Sequence, residues 1–323
     1  MEYVHLGRTG LMVSRLCLGC MSYGSSKWRP WVLDEEASRP FFKKAVEAGI
    51  NFFDTANVYS LGASETVTGR MLKEFVRRDE VVIASKVGLE MATRPNGKGL
   101  SHKAIAENID ATLKRLDTDY LDLYQIHRLD RETPMEEICS ALDQAVRAGK
   151  VLYLGASSMW AWEFATLAGL QKALGLHRFV SMQNHYNLLY REEEREMIPF
   201  CRAEGMGIIP WSPLARGTLT RPLSSQTTTR SGSDQYTPRL YGAAHDAAII
   251  TALEKAASAL GKPMAQVGLA WLMSRPGVTA PIIGATKLGQ LADALEAVEL
   301  KLEPAVIEAL SAGYGPRAVA GID

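Results

Sequence analysis

The chain has 323 residues, 47% hydrophobic and 22% charged, as expected of a globular protein. Lys+Arg 36 balances Asp+Glu 36, so no net charge or basic stripe points to nucleic acid or a membrane surface. No run reaches the ~18 apolar residues of a membrane span. Residues 1–5 lack the apolar core of a signal peptide, and four cysteines do not make a disulfide framework, so a cytoplasmic protein is expected.

Residues 2–6 and 11–15, joined through Gly7-Arg8-Thr9-Gly10, predict a small β-hairpin. A short strand over 15–20 contains Cys17-Leu18-Gly19-Cys20, which spells C-x-x-C. On a strand, positions i and i+3 face opposite sides, so the pair is read as packed cysteines rather than a redox or zinc site. Asp34 caps a helix over 35–48 that stops at Gly49.

From there strand and helix alternate. Strand 51–54 leads to helix 64–75, with Ser64 as its cap, and strand 81–86 to helix 102–116. Strand 120–126 leads to helix 135–148, strand 151–156 to helix 161–174, and strand 179–183 to helix 192–204. Strand 207–211 opens a long polar loop over 216–244. Helices over 246–260 and 264–274 follow, the second started by Pro263. A strand over 279–283 and helices over 288–297 and 304–312 complete the pattern. The Gly/Pro-rich tail from 313 is expected to be loose.

Eight apolar strands separated by helices fit a doubly wound sheet or a closed barrel. Gly19-Cys20-Met21-Ser22-Tyr23-Gly24, the first strand–helix loop, does not match G-x-G-x-x-G, and no phosphate-loop motif occurs. The expectation is an α/β fold, a single (β/α)8 TIM barrel over 1–323 with an N-terminal β-hairpin and extra C-terminal helices.

In such a barrel the carboxyl ends of the strands share one face, where catalytic side chains collect. Asp54 ends the second strand with Tyr59 in the loop beyond it, Lys86 ends the third, and His127 follows the fourth. Together they make a proton-donating device. An ammonium beside a phenol favours the phenolate and lowers the tyrosine pKa, a carboxylate keeps the buried lysine charged, and a neutral imidazole can orient a carbonyl. The remaining histidines show no ligand spacing, so no metal is assigned.

Asp54-Thr55-Ala56-x-x-Tyr59, Ser85-Lys86 and Gln125-Ile126-His127 resemble the tetrad motifs of the aldo-keto reductases. The likeness runs from Leu6-Gly7-Arg8-Thr9-Gly10 to about Leu310, through Leu116-Asp117-Thr118-Asp119-Tyr120 and Gln183-Asn184-x-Tyr186-Asn187-Leu188. It implies an NADP(H)-dependent reductase of aldehydes or ketones, with Tyr59 as the general acid, Lys86 and Asp54 tuning it, and His127 orienting the carbonyl. A histidine there, where enone-reducing members carry glutamate, favours carbonyl reduction.

The resemblance further implies cofactor contacts. Met21 and Asp54 join them at the barrel mouth. Ser157 and Gln183 would meet the nicotinamide carboxamide, and Trp211 would stack on the ring. Ser212, Leu214, Ala215 and Gly217 would wrap the pyrophosphate. Ile283, Gly284, Thr286, Lys287 and Gln290 would hold the adenosine and its 2′-phosphate, with Arg230 as a further clamp. The chain departs from the family's usual Gly-x-Ser-Asn by reading Ser158 after Ser157.

Tyr23, Trp28, Trp31, Trp160, Tyr186 and Leu189 are candidates for an apolar substrate wall, beside Tyr59 and His127. The expected partner is a small carbonyl compound, with no nucleic acid and no membrane. Two other readings stand beside the reductase. One is a cofactor-binding redox sensor resembling the potassium-channel β-subunits, which share the Trp211-Ser-Pro-Leu-Ala-x-Gly segment. The other is a barrel lyase using Lys86 as a Schiff base.

Overall fold

A computed structural model of the chain describes residues 1–225, 236–242 and 245–322. A short antiparallel hairpin, β1 (Tyr3–His5) and β2 (Met12–Ser14), precedes eight parallel strands. These are β3 (Cys17–Gly19), β4 (Phe52–Asp54), β5 (Val82–Val87), β6 (Leu121–Ile126), β7 (Val151–Ser157), β8 (Phe179–Gln183), β9 (Gly207–Ile208) and β10 (Ile282–Ile283). Their order is β10-β3-β4-β5-β6-β7-β8-β9. A parallel bridge between Ile208 and Val278, with Thr279 N donating to Ile208 O at 2.7 Å and Ile282 N to Pro210 O at 2.9 Å, closes the barrel. This is the (β/α)8 fold expected from the sequence.

Helices α1 (Glu35–Glu47), α2 (Ala63–Phe75), α3 (His102–Leu116), α4 (Met135–Arg147), α5 (Ala161–Ala173) and α6 (Met197–Glu204) follow the strands. Then come α7 (Thr237–Leu240), α8 (Asp246–Leu260), α9 (Met264–Met273), α10 (Leu288–Ala297) and α11 (Pro304–Ser311). None of them is long and apolar enough to cross a membrane. Period-two alternation splits the strands into two apolar sets. Phe52, Val82, Ala84, Leu123 and Ile209 fill the barrel with Cys17. Phe53, Ile83, Tyr124, Leu154 and Met182 pack outward against the helices, with Cys20. The two cysteines therefore face opposite sides as expected, although Cys20 lies on a single helical turn, Cys20–Ser22, beyond the strand.

Four local expectations need correction. Ser64 does not cap α2: Gly62 holds that position at φ 95°, and the Ser64 hydroxyl donates instead to Cys20 O at 2.7 Å. The helix expected over 192–204 is two pieces, a turn at Glu192–Glu194 and then α6. Pro199 explains the break, since its ring clashes with a helical carbonyl at 195. The last two barrel strands are shorter than expected, and Trp211 lies beyond β9 in an isolated bridge with His185.

The tail is docked, not loose. Tyr314 donates to Glu192 Oε1 at 2.6 Å, Arg317 pairs with Asp246 at 2.5 Å, and Ala320 N donates to the Tyr190 hydroxyl at 3.0 Å. Ile322 is buried, and Gly321 (φ 86°) lies against the Trp211 ring, where a Cβ would sit 2.9 Å from Cζ2. Polar contacts with the turn before α6 and the start of α8 offset the entropy that composition alone assigns to the segment.

Candidate active site

The alternation that points Phe52, Val82, Ala84 and Leu123 into the barrel also points in the polar residues near the strands' carboxyl ends. Asp54, Lys86, Gln125, His127, Ser157 and Gln183 continue those rows above the apolar layer. Gly155 makes room for them: a Cβ there would sit 2.6 Å from Ser181 Oγ and 3.0 Å from Gln125 Cγ.

Lys86 Nζ donates to Asp54 Oδ1 at 2.5 Å, Thr55 O at 2.9 Å and the Tyr59 hydroxyl at 3.1 Å, which uses all three of its protons. Asp54 Oδ2 accepts from Gln125 Nε2 and Gln183 Nε2, both at 2.9 Å. The ion pair is buried with its partners supplied, the condition under which a buried pair is tolerated. Tyr59 opens a turn whose next residues, Ser60 (φ 51°) and Leu61 (φ 50°), are both left-handed, a strain found at functional sites.

Burial works against the Lys86 ammonium, but the charges of Asp54 and Tyr59 outweigh it and its pKa lies above the ordinary lysine value. For Tyr59 the expected direction is reversed. Burial raises the phenol pKa, Asp54 adds to the rise, and Lys86 offsets it incompletely. His127 is held well below the ordinary value by burial and then by the cations Lys86 and Arg128, so its ring is neutral. The ring meets Tyr59 edge-on at 5.7 Å, and its buried Nδ1 has no hydrogen-bond partner.

Arg128, which sequence reasoning missed, donates to His127 O at 2.6 Å and to Ser157 Oγ at 3.4 Å, and lies 5.8 Å from the Trp211 ring. Its position next to His127 was the available signal. Gln125 was also overlooked as a partner of Asp54, although a polar residue on the inward row of an apolar strand marks it.

Trp211 forms the end of an aromatic column. It stacks on His185 at 4.3 Å and 13°, and His185 stacks on Tyr190 at 4.0 Å and 12°. Its Nε1 donates to Ser158 Oγ at 2.8 Å, so the serine standing where the family usually has asparagine orients the indole. Beyond it Ser212 (φ 52°), Ala215 (φ 48°), Arg216 (φ 57°) and Gly217 (φ 100°) turn through left-handed conformations around half-buried Leu214. Asn187 holds the start of this loop by donating to Ser212 O at 2.9 Å.

Other expected cofactor residues are engaged within the protein. The Gln183 amide donates to Asp54 and, at 3.2 Å, to Gln125 Oε1, and Ser157 Oγ donates to Gln183 O at 2.7 Å. Gln290 Oε1 accepts from the amides of Thr286 (2.9 Å) and Lys287 (3.1 Å), so it caps α10 in the place expected for a phosphate. Gly284 and Lys287 are exposed after the buried Ile283, and Met21 is half-buried in the helical turn after β3. Arg230 lies outside the described residues.

The substrate wall divides. Trp28 stands 6.3 Å from the Tyr59 ring, and Trp160 is exposed on the rim beside a cavity of about 300 Å³. Tyr23, Tyr186 and Leu189 are turned away. Tyr23 is fully buried against Phe41 and Phe42, Tyr186 packs on Trp271 and donates to Glu194 at 2.5 Å, and Leu189 has no exposed surface. In all three the apolar outer layer, not the mouth, claims the side chain. Among the described residues no group of three His, Cys, Asp or Glu side chains is placed to hold a metal ion.

Known proteins resemble the chain along nearly its whole length. Residues 15–314 match the model of the Aldo/keto reductase family. The versiconal hemiacetal acetate reductase of Aspergillus parasiticus is 45% identical, the alignment covering 99% of this chain and 98% of that protein. Aldo-keto reductases of Fusarium vanettenii and Metarhizium robertsii are 42% and 41% identical, each over 99% of this chain and 93% of their own. The chain belongs to the aldo/keto reductase family, a family of NADP-dependent oxidoreductases.

Proposed function

We propose that this protein reduces an aldehyde or ketone on a ring-bearing, apolar compound to the alcohol, with NADPH as the reductant and Tyr59 as the proton donor. The observation that carries the reading is the chain Asp54–Lys86–Tyr59, linked at 2.5 Å and 3.1 Å, beside a neutral His127.

NADPH, when bound, supplies hydride to the carbonyl carbon. Tyr59 gives its proton to the oxygen, and its raised pKa keeps the phenol protonated through neutral pH. That rise does not stop transfer, because the developing alkoxide is a stronger base than a phenolate. Lys86 holds a hydrogen bond on the Tyr59 oxygen as it becomes negative, and Asp54 keeps the lysine charged. His127, neutral and free of side-chain partners, directs the carbonyl oxygen toward Tyr59.

The residues along the rim fit the cofactor. Trp211 is half-buried and braced by His185 and Ser158, as a flat platform needs. The left-handed residues Ser212, Ala215, Arg216 and Gly217 make a turn of the kind that can bind anions, although the amides of Ala215 and Gly217 already donate to Ser212 O and Leu214 O, both at 2.9 Å. At exposed Gly284 a Cβ would meet Ser22 Oγ at 3.2 Å, so glycine leaves room for close approach. Exposed Lys287 suits a 2′-phosphate. The capped amides of Thr286 and Lys287 reduce what that helix start can offer, which shifts the 2′-phosphate contact onto the Lys287 side chain.

Incubation with NADPH and an aromatic aldehyde tests the reading. It predicts one alcohol formed for each NADPH consumed, and a larger loss of affinity for NADPH than for NADH in Lys287→Ala. Tight NADPH binding with no alcohol from a broad carbonyl panel would favour the redox-sensing role instead.

A further inference from the structure

The opposite face of the barrel carries a feature the reductase chemistry does not use. A cavity of about 450 Å³ lies at the amino ends of the strands, between the hairpin, the end of α6 and the segment that closes the barrel. Three arginines line it: Arg8, Arg15 and Arg202. Glu2 is the one carboxylate among its lining residues.

Arg15 is fixed there by hydrogen bonds, whereas Arg8 and Arg202 are exposed. The Arg15 guanidinium donates to the carbonyls of Thr279 and Met273, both at 2.6 Å, and to that of Val278. Burial lowers its pKa, and the charge of Glu2 opposes that shift only in part. Arg8 is anchored through its backbone N to Gly205 O at 2.7 Å, and its side chain occupies the space a Cβ would take at Gly205. Arg202 lies over Gly277, where a Cβ would sit 2.9 Å from its Cγ. The two glycines leave room for these side chains. Among the described residues none of the three arginines forms an ion pair, whereas neighbouring Glu204 is committed to Arg178.

We propose that this cavity is a binding site for a small phosphate-bearing anion. The forks of Arg8 and Arg202 match phosphate oxygens, and with the Arg15 charge behind them three cations face one carboxylate, a charge that a polyanion would neutralise. The bound anion would add to the Arg15 hydrogen bonds and the Arg8 N–Gly205 O contact in tying together the hairpin, the end of α6 and the closing segment. Its effect is therefore stabilisation of the closed barrel through ligand linkage.

The test is calorimetric titration of the full chain with inorganic diphosphate at low ionic strength, paired with thermal unfolding. It compares wild type, Arg8→Ala/Arg202→Ala and Lys287→Ala. Both exposed arginines can be removed without opening the core, and circular dichroism of the double variant checks its fold. The expected result is saturable binding and a raised Tm in wild type and Lys287→Ala. Affinity should weaken roughly tenfold for each arginine removed. Undiminished binding by the double variant, binding lost in Lys287→Ala alone, or an equal Tm rise from sodium chloride at matched ionic strength would overturn the proposal. The outcome does not depend on carbonyl turnover.

Discussion

Lys86 and Asp54 pair at 2.5 Å with almost no exposed surface, where the apolar rows of the barrel give way to polar ones. Removing one partner leaves the other charge buried and alone. Lys86→Met should cost about 3–5 kcal/mol of stability. It should also slow turnover by about 10²–10⁴-fold, because Tyr59 loses its donor. Asp54→Leu/Lys86→Met should regain stability in urea unfolding but not turnover. Because the folded lysine pKa is raised, the pair's contribution is complete below the free value of about 10.4 and is lost as pH rises through the folded one.

His127 makes the opposite prediction at the acid end. Its folded pKa is depressed, so its contribution is present above the free value of about 6.5 and is lost as pH falls toward the folded value. The difference in unfolding free energy between wild type and His127→Asn should shift against wild type as pH drops from 7 to 5 (roughly the window of). A pH-independent difference would mean that the ring is not buried neutral.

Glu193, outside the catalytic group, should behave as a destabilising acid. Burial pushes its pKa up to about 7, and the hydrogen bond from the Asn184 amide, at 3.5 Å, is too long to reverse this. The unfolded group ionises near 4.3, so stability falls as pH rises from about 4.3 to about 7. Glu193→Gln should therefore stabilise the protein by about 3 kcal/mol above pH 7 and by little near pH 4 (an order of magnitude from). Denaturant midpoints at the two pH values decide it.

Much of the site was legible because strand ends impose few choices. Asp54, Lys86 and His127 are polar residues at the ends of apolar runs, and period two places them inward. Aromatic residues are harder, since Tyr23, Tyr186 and Trp160 all follow strands and all suit a pocket wall. Only packing against Phe41, Phe42 and Trp271 sends the first two outward. The direction of the Tyr59 shift was also hidden, because adjacency to Lys86 is readable from motif order while the depth of burial is not.

The tail shows the same limit. Its composition reads as loose, yet Arg317 and Asp246 are each 7% exposed and pair at 2.5 Å. Arg317→Met should cost about 3–5 kcal/mol. Gly321→Ala, at φ 86° and against Trp211, should weaken NADPH binding more than it lowers Tm. Fluorescence titration with NADPH beside thermal unfolding separates the two effects. Equal losses would make the tail a stabilising strap with no influence on the indole.

The most direct measurement is alcohol formation from NADPH and an aromatic aldehyde by wild type and Tyr59→Phe, with NADPH affinity determined for both. The predicted result is a fall in turnover of about 10²–10⁴-fold with cofactor affinity unchanged. Turnover by Tyr59→Phe close to that of wild type would contradict the assignment of Tyr59 as the proton donor.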